Sequence, residues 1–375
     1  MDTVPFHFLM FALDVALVVG LVYWPYRKST LWTFGGFVLF SGIGLCGIVV
    51  FSIVFRSHIG QCVVEGLTYH GSVFLLIAAG FLFFRRQRVV AVLTALFGLS
   101  IFAVGFDMLV WEPSSLVVER YVIETTKLKK PLRVVFVADI QTDRIGEYER
   151  RVMRIIQEQK AHLIIFGGDY LQYYEETPGV TDLQGRFRQL FVDANLTPPL
   201  GAFAITGNLD PMSSEGFSQL FEGSTVEPIF FTEGIPNLGI NGGLGPIDLK
   251  LLHIFESVSG IGERGLTNTG NFQIMAGHYP NYALKDYENA DRAPDLMLAG
   301  HTHGGQVRIP GYGPIRIKDH GRDSHIPTSR YSGLFKFENG SHLLVTRGAG
   351  MERAWAPRVR FFCKPEISVI DIVPK

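Results

Sequence analysis

The stretch Ala299-Gly300-His301-Thr302-His303-Gly304-Gly305-Gln306 closes an apolar run with two histidines set among glycines. Residues two apart on an extended segment point the same way, so His301 and His303 can present ring nitrogens to neighbouring metal ions. The flanking glycines let the backbone turn sharply and keep the approach to a ligand open. Taken singly, such a pair reads equally well as a solvated turn. It is not single here.

Apolar runs upstream end in the same way, each on a residue of metal-ligand type. Val134-Val135-Phe136-Val137-Ala138 leads into Asp139-Ile140-Gln141, and Leu163-Ile164-Ile165-Phe166 into Gly167-Gly168-Asp169. Ala202-Phe203-Ala204-Ile205-Thr206 leads into Gly207-Asn208-Leu209-Asp210, and Phe272-Gln273-Ile274-Met275-Ala276 into Gly277-His278. Short apolar runs bounded by turn residues read as buried strands. Strands that end together put their following loops side by side, where ligand sites of open α/β sheets lie. Helical patterns fall between them, at about 146–160 with Tyr148, Val152, Ile155 and Ile156 on one face, and at about 183–194. The alternation predicts an α/β domain with a parallel or mixed sheet covered by helices. An aspartate that ends a strand, as Asp139 does, serves on its own as a helix cap just as readily.

This order of motifs resembles the calcineurin-like metallophosphoesterase superfamily, over about residues 130–375. The family pattern is Asp-x-His, Gly-Asp, Gly-Asn-His-Asp or Glu, a lone His, and Gly-His-x-His. Here it becomes Asp139-Ile140-Gln141, Gly168-Asp169, Gly207-Asn208-Leu209-Asp210, His278 and Gly300-His301-Thr302-His303. The Gly-His-Thr-His-Gly-Gly-Gln form and Thr346-Arg347-Gly348-Ala349-Gly350 look like a membrane-associated bacterial-type subgroup. The resemblance implies a four-layer sandwich, two mixed β-sheets flanked by helices, and a hydrolase using two divalent ions.

Carried over residue by residue, Asp169 would bridge the ions. Asp139, Gln141 and His303 would complete one shell, and Asn208, His278 and His301 the other, with Asp169, Asn208 and His278 closest to the chemistry. Carboxylate and amide oxygens suit Mn²⁺ or Mg²⁺, while imidazoles admit Fe or Zn. Two such ions about 3.5–4 Å apart clamp a phosphoryl group and generate a hydroxide nucleophile.

The chain departs from the pattern twice. Gln141 replaces a histidine, so its ligand atom would be a weaker amide oxygen. Leu209 replaces a histidine that in much of the family sits near the leaving group, and leucine cannot donate a proton. A good leaving group, such as a phosphate in a pyrophosphate linkage, suffers less. Asp210 reads either as a residue orienting its loop or as a cap for Pro211-Met212-Ser213-Ser214. His162, His253, His320, His325 and His342 match no motif and read as packing or surface residues. Arg308, Arg316, Lys318 and Arg322 form either a basic rim for an anionic substrate or a solvated loop. Arg347 reads as structural.

The chain has 375 residues, is 47% hydrophobic and carries a formal net charge of −1, with its apolar excess at the front. Four stretches there, about 6–24, 31–55, 67–84 and 89–111, are long enough to span a bilayer core, which needs roughly 20 apolar residues. A buried helical bundle is the alternative, and the very short polar loops argue against it. A cleavable signal peptide fits poorly, since residues 1–5 hold no Lys or Arg. These stretches define a transmembrane region at 1–111, a connector at 112–130 and a metallophosphoesterase domain at 131–375. Arg27 and Lys28, then Arg85, Arg86 and Arg88, place the odd-to-even loops in the cytoplasm and the catalytic domain outside it. Lys127, Lys129 and Lys130 oppose this orientation.

Asp14 and Asp107 fall inside the expected spans, where carboxylates are costly and often functional. Asp14, at mid-span, is the better candidate for an interhelical contact. Cys46 is expected in the membrane, Cys62 in a loop and Cys363 in the domain, a dispersed trio with no disulfide framework or CxxC site. No basic patch points to nucleic acid. The leading expectation is thus a multi-pass cell-membrane phosphoesterase acting on a phosphorylated small molecule, or on a lipid-linked phosphate or pyrophosphate. A non-hydrolytic metal-binding sensor or scaffold, suggested by Gln141 and Leu209, and a transporter-like bundle, suggested by Asp14 and Asp107, are the alternatives.

Overall fold

The computed structural model describes residues 4–23, 39–50, 59–172, 179–230, 237–241, 243–262, 266, 269–315, 326–352 and 356–375. The chain divides into two compact units, Met1–Trp111 with Arg353–Val359, and Glu112–Glu352 with Arg360–Lys375.

The first unit is helical. It holds α1 (Val4–Tyr23), α2 (Leu39–Val50), α3 (Gly60–Phe84) and the greater part of α4 (Arg88–Ser114). Only α3 and α4, among the described residues, are long and apolar enough to cross a membrane; the apolar stretches Pro5–Gly20 and Leu39–Val50 are shorter. Two of the four expected spans are thus matched by helices of spanning length among the described residues. Apolar composition marks a segment that avoids water, but where its helix begins and ends is a separate matter. The flanks of the second expected span, 31–38 and 51–55, lie outside the described residues, as do Arg27 and Lys28. Leu93, Leu96 and Phe97 of α4 are each more than half exposed, unlike the buried side chains of a soluble core helix. Cys62 sits buried within α3 rather than in a loop. Asp107 opens a π-helical turn, Asp107–Trp111.

The second unit is an α/β/β/α sandwich. One six-stranded sheet has the order β1 (Val117–Thr125), β14 (Glu366–Pro374), β2 (Leu132–Val137), β3 (Leu163–Phe166), β4 (Ala202–Ala204), β5 (Val226–Pro228). The other runs β12 (Gly333–Lys336), β13 (His342–Val345), β9 (Leu296–Ala299), β8 (Phe272–Ala276), β7 (Pro246–Leu251), β6 (Asn237–Asn241). Both are mixed: β2 to β5 run parallel, as do β7, β8, β9 and β13, while β14–β2, β6–β7 and β12–β13 are antiparallel. Strand β1 lies within the stretch read as a connector and pairs parallel with the C-terminal β14. Exposed and buried residues alternate only in its second half, where Ile123 and Thr125 are buried and Val122 and Glu124 exposed, as suits an edge strand.

The largely apolar runs of β2, β3, β8 and β9, interrupted only by Arg133 and Gln273, follow from burial on both faces. Val134, Phe136, Leu163 and Ile165 pack between the sheets with Leu249, Phe272, Ile274 and Leu298. The opposite face of the first sheet carries Val135, Ile164 and Phe166 against α5 (Glu147–Glu158), α6 (Val180–Ala194) and α7 (Ser214–Gln219) through Val152, Ile156, Phe187, Phe191 and Phe217. The second sheet is covered by α8 (Ile254–Ser259) and α9 (Asn281–Asp286), where Tyr282 and Ala283 join Met275, Met297 and Leu343. The polar stripe of α5 is what lets a twelve-residue amphipathic helix lie here with one face wet.

Candidate metal centre

Five loops leave the carboxyl ends of parallel strands and supply the site. Asp139 and Gln141 follow β2, Asp169 follows β3, Asn208 follows β4, His278 follows β8, and His301 and His303 follow β9. The loops turn at once: Asp139, Gln141, Asp169, His301 and His303 all have positive φ, between 37° and 71°. Such backbone costs a non-glycine residue of order 1–3 kcal/mol and persists where surrounding contacts over-determine it. Those contacts are visible. A Cβ on Gly207 would overlap both the carboxylate and the N–H of Asp169, so only glycine lets the β3 and β4 loops approach this closely. After β2, Thr142 donates to Glu149 Oε1 at 2.7 Å, and Glu149 Oε2 accepts the Gly146 N–H at 2.8 Å, tying the loop to the first turn of α5.

All seven side chains singled out in the sequence come together. Asp169, His278 and His301 offer ligand atoms within 4.8 Å of one another. Asn208 Oδ1 lies 3.1 Å from His278 Nε2 and 2.9 Å from His301 Nδ1. Asp169 Oδ2 is 3.3 Å from His278 Nε2 and accepts from Gln141 Nε2 at 3.1 Å. Asp139 Oδ1 stands 3.7 Å from His303 Nε2 and 4.0 Å from His278 Nε2, while both its oxygens accept the His301 N–H. His278 Nδ1 is held by the Gly167 carbonyl at 2.8 Å, which turns Nε2 inward. Tyr279 packs on the His301 ring, centroids 3.6 Å apart.

A calcineurin-like phosphoesterase family model matches residues 132–305. The uncharacterized metallophosphoesterase YkuE of Bacillus subtilis (strain 168) is 30% identical over 231 residues, covering 60% of this chain and 72% of that protein. The chain belongs to the calcineurin-like phosphoesterases. An uncharacterized metallophosphoesterase of Aquifex aeolicus (strain VF5) is 26% identical, covering 69% of this chain and 92% of the relative. The phosphodiesterase YaeI of Escherichia coli (strain K12) is also 26% identical, covering 65% and 83%. This calcineurin-like phosphoesterase is accordingly a hydrolase of a divalent-metal-dependent family, with a cluster of side chains able to bind metal.

The residues of the phosphoesterase fit such ions. Gln141 Oε1 and His303 Nδ1 are buried with no hydrogen-bond partner among the described residues, an expensive condition for polar atoms unless they have another role. Burial pushes the Asp139 carboxyl up to about 7, with the His278 charge opposing and the Asp169 charge reinforcing. A carboxylate so placed is stabilised by any cation brought beside it. Burial also acts to lower His278, yet the charges of Asp169 and Asp139 and the Asp169 hydrogen bond prevail and raise it to about 10. His303 goes the other way, held well below its ordinary value by burial and the nearby Arg360 charge, so its ring is neutral. Mixed oxygen and imidazole donors accommodate hard and borderline divalent ions.

Around this cluster the phosphoesterase has a framework that the sequence motifs showed incompletely. Asp210 is an organiser of the loops: Oδ2 accepts from the backbone N–H groups of Asp169 at 2.8 Å and Gly207 at 2.7 Å, and Oδ1 from Tyr170 at 3.0 Å. The cap of α7 is Ser213, whose Oγ accepts from Gly216, so the capping role falls to another residue. Glu352 accepts from Gln172 Nε2 at 2.7 Å and lies 3.5 Å from Gln141 Nε2, and its own N–H donates to Gln306. Arg360 is fully buried and, among the described residues, donates only to Cys363 Sγ and to the backbone carbonyls of Arg347, Gly348, Gly350 and Cys363. That pins the Thr-Arg-Gly-Ala-Gly segment beneath Asp139. Gln306 was visible as part of the histidine motif, but nothing local marks Glu352 or Arg360.

The remaining sequence readings sort cleanly. His162 accepts the Arg133 N–H at 2.9 Å, His253 caps α8, and His342 lies in β13. Arg347 pairs with Glu119 and Glu366 at 2.6 and 2.8 Å, a structural role. Arg308 bonds to the Gly304 carbonyl and to Ser332 Oγ. Arg316, Lys318, His320, Arg322 and His325 lie outside the described residues.

Proposed function

We propose that this protein is a membrane-anchored phosphoester hydrolase that works with two divalent ions bridged by Asp169. The observation that carries the reading is the position of the Asp169 carboxylate. One oxygen is bonded to the Leu209 N–H at 2.9 Å, and the other lies between Gln141 Nε2 and His278 Nε2. In this reading Asp139, Gln141 and His303 would hold one ion together with Asp169, and Asn208, His278 and His301 the other. Mn²⁺, Mg²⁺, Fe or Zn are all compatible with this donor set. Bound ions would supply positive charge for the phosphoryl oxygens and a more acidic water. The chain's own contribution is to hold these donors rigidly, through Asp210, Gly167 and Arg360, and to present Leu209 where a proton donor would otherwise stand.

A phosphorylated small molecule or a lipid-linked phosphate or pyrophosphate is the proposed substrate. Leu209 borders a cavity of about 500 Å³ that also meets Met212, Val180, Gln184 and Arg188, a size suited to a small ligand and partly apolar in its lining. The absence of a side-chain acid at Leu209 favours good leaving groups. Helices α3 and α4 support a multi-pass anchor in the cell membrane, and Arg85 and Arg86 between them, with Arg88 at the start of α4, support a cytoplasmic loop with the hydrolase outside.

Turnover of an aryl phosphodiester, a phosphomonoester and a pyrophosphate by the full-length protein, with Mn²⁺, Mg²⁺, Fe²⁺ or Zn²⁺ and metal analysis alongside, tests the reading. Two metal equivalents and turnover are expected, both lost together in Asp169→Ala. An Asp169→Ala protein with undiminished metal and turnover refutes the bridge. Cysteine labelling should find 85–88 on the cytoplasmic side. The reverse result overturns the orientation alone.

A further inference from the structure

The helical unit contains a polar chain that the phosphoesterase site does not use. His70 Nδ1 lies 2.6 Å from Asp14 Oδ2, His70 Nε2 is 3.0 Å from His7 Nδ1, and His7 Nε2 is 2.9 Å from Glu65 Oε2. Gln61 Nε2 donates to the other Glu65 oxygen at 2.5 Å. We propose that Asp14, His70, His7 and Glu65 form a relay that holds one shared proton and passes it between two carboxylates across helices α1 and α3.

The placement is built into the helices. His7 and Asp14 are seven residues apart on α1 and so share a face. Glu65 and His70 are five apart, which on a regular α-helix separates them by about 140° around the axis. The π-helical stretch Gly66–Gly71 changes that count, and π-turns within α-helices mark functional positions more often than chance. Apolar groups enclose the chain: Phe6 and Met10 are buried beside it with Ile48 and Cys62, and the Phe6 ring meets both imidazoles edge-on. The side chains of Asp14, Glu65 and His70 are 12–13% exposed and His7 33%. Cys62 and Tyr69 are the other titratable groups beside Glu65, and the Tyr69 ring is 6.4 Å from His7.

Proton counting supports the shared proton. Suppose both carboxylates were ionised and both rings neutral. Each ring would spend its single N–H on its carboxylate, and two lone pairs would face one another at the 3.0 Å contact. One further proton removes the conflict. With Asp14 protonated, O–H donates to His70 Nδ1, His70 Nε2–H to His7 Nδ1, and His7 Nε2–H to ionised Glu65. Shifting one proton along each of the three hydrogen bonds gives the mirror form, with Asp14 ionised, His70 Nδ1–H toward it, His7 Nδ1–H toward His70, and Glu65 protonated. Both forms have the same protons and the same net charge, with every contact satisfied, and an imidazolium lies between them. Nothing is consumed.

The geometry is serial, with each ring nitrogen engaged by a different neighbour. A metal site needs donors that converge, and among the described residues the convergent trio is Asp169, His278 and His301.

The test uses full-length protein in lipid nanodiscs, labelled with ¹⁵N at histidine. A through-hydrogen-bond nitrogen–nitrogen coupling between the His7 and His70 rings is expected in the wild type. Asp14→Asn, which does not touch His7, should move the His7 titration midpoint by at least about half a pH unit, because coupled groups titrate as a unit. Glu65→Gln should do the same to His70. Absence of the coupling in the wild type overturns the relay even where a variant does not fold. Independent titration of the two rings overturns it as well. A Zn²⁺ equivalent retained by the wild type and lost in Asp14→Asn would replace the relay with a metal site.

Discussion

The backbone N–H of Leu209 donates to Asp169 Oδ1 at 2.9 Å. Position 209 therefore serves the centre through its main chain whatever side chain it carries, and the leucine side chain is free to face the cavity beside Met212. This separates loop geometry from proton donation, and makes the substitution testable.

Leu209→His should leave metal content unchanged. On an alkyl phosphodiester, whose leaving group is poor, kcat/KM should rise, while an aryl ester should respond much less. A well-placed general acid is worth roughly 10²–10⁴-fold, so even partial restoration is measurable. Equal changes on both substrates would assign position 209 to packing or binding.

Asp210 accepts three backbone N–H groups from the loops after β3 and β4. Asp210→Asn replaces an all-acceptor carboxylate with a group half of which donates, leaving a buried N–H without a partner. A loss of about 1–3 kcal/mol in stability is expected. Metal affinity should fall with it, though no proposed ligand is removed. A variant with unchanged melting and unchanged metal titration would mean that the loops hold themselves.

Gln141 gives its amide nitrogen to Asp169, and its Oε1 has no partner among the described residues. Gln141→His should tighten one ion and shift preference toward Fe or Zn, because imidazole is the softer donor. Competition between Mn²⁺ and Zn²⁺, followed by metal analysis, reads this directly. Unaltered preference would remove Gln141 from the ligand set and leave it as a prop for Asp169.

Two histidines outside the centre bear on stability. Burial lowers His253, and burial followed by the Lys336 charge lowers His342. Both rings are neutral in the folded protein while the unfolded chain protonates near pH 6.5. Stability should therefore fall as pH drops below about 6.5, since the unfolded state then binds more protons. Melting temperatures of the double variant His253→Gln, His342→Gln should depend less steeply on pH between about 7 and 5 than those of the wild type. Parallel curves would show that these rings do not contribute.

Much of the second unit was legible in the chain itself. The runs 134–138, 163–166, 272–276 and 296–299 are strands because burial on both faces favours apolar side chains at nearly every position, and α5 follows its 3.6-residue pattern. The candidate ligands were legible for the same reason, each lying two to four residues beyond a strand end. The pairing of β1 with β14 was not, because it joins segments some 250 residues apart through backbone hydrogen bonds that carry no local signature.

The sequence by itself determined an α/β hydrolase domain with a metal-type residue at each of five strand ends, since strand period and turn chemistry are local properties. Tertiary structure alone decided how those ends converge, which groups brace them and which atoms remain unpaired. Arg360 beneath Asp139, Glu352 beside Gln141, and His70 between Asp14 and His7 are relationships between distant segments, and no local pattern encodes them. In the helical unit, composition set the apolar character of the segments. Where each helix stops, and where a π-turn aligns Glu65 with His70, depends on packing against neighbours that hydropathy does not see.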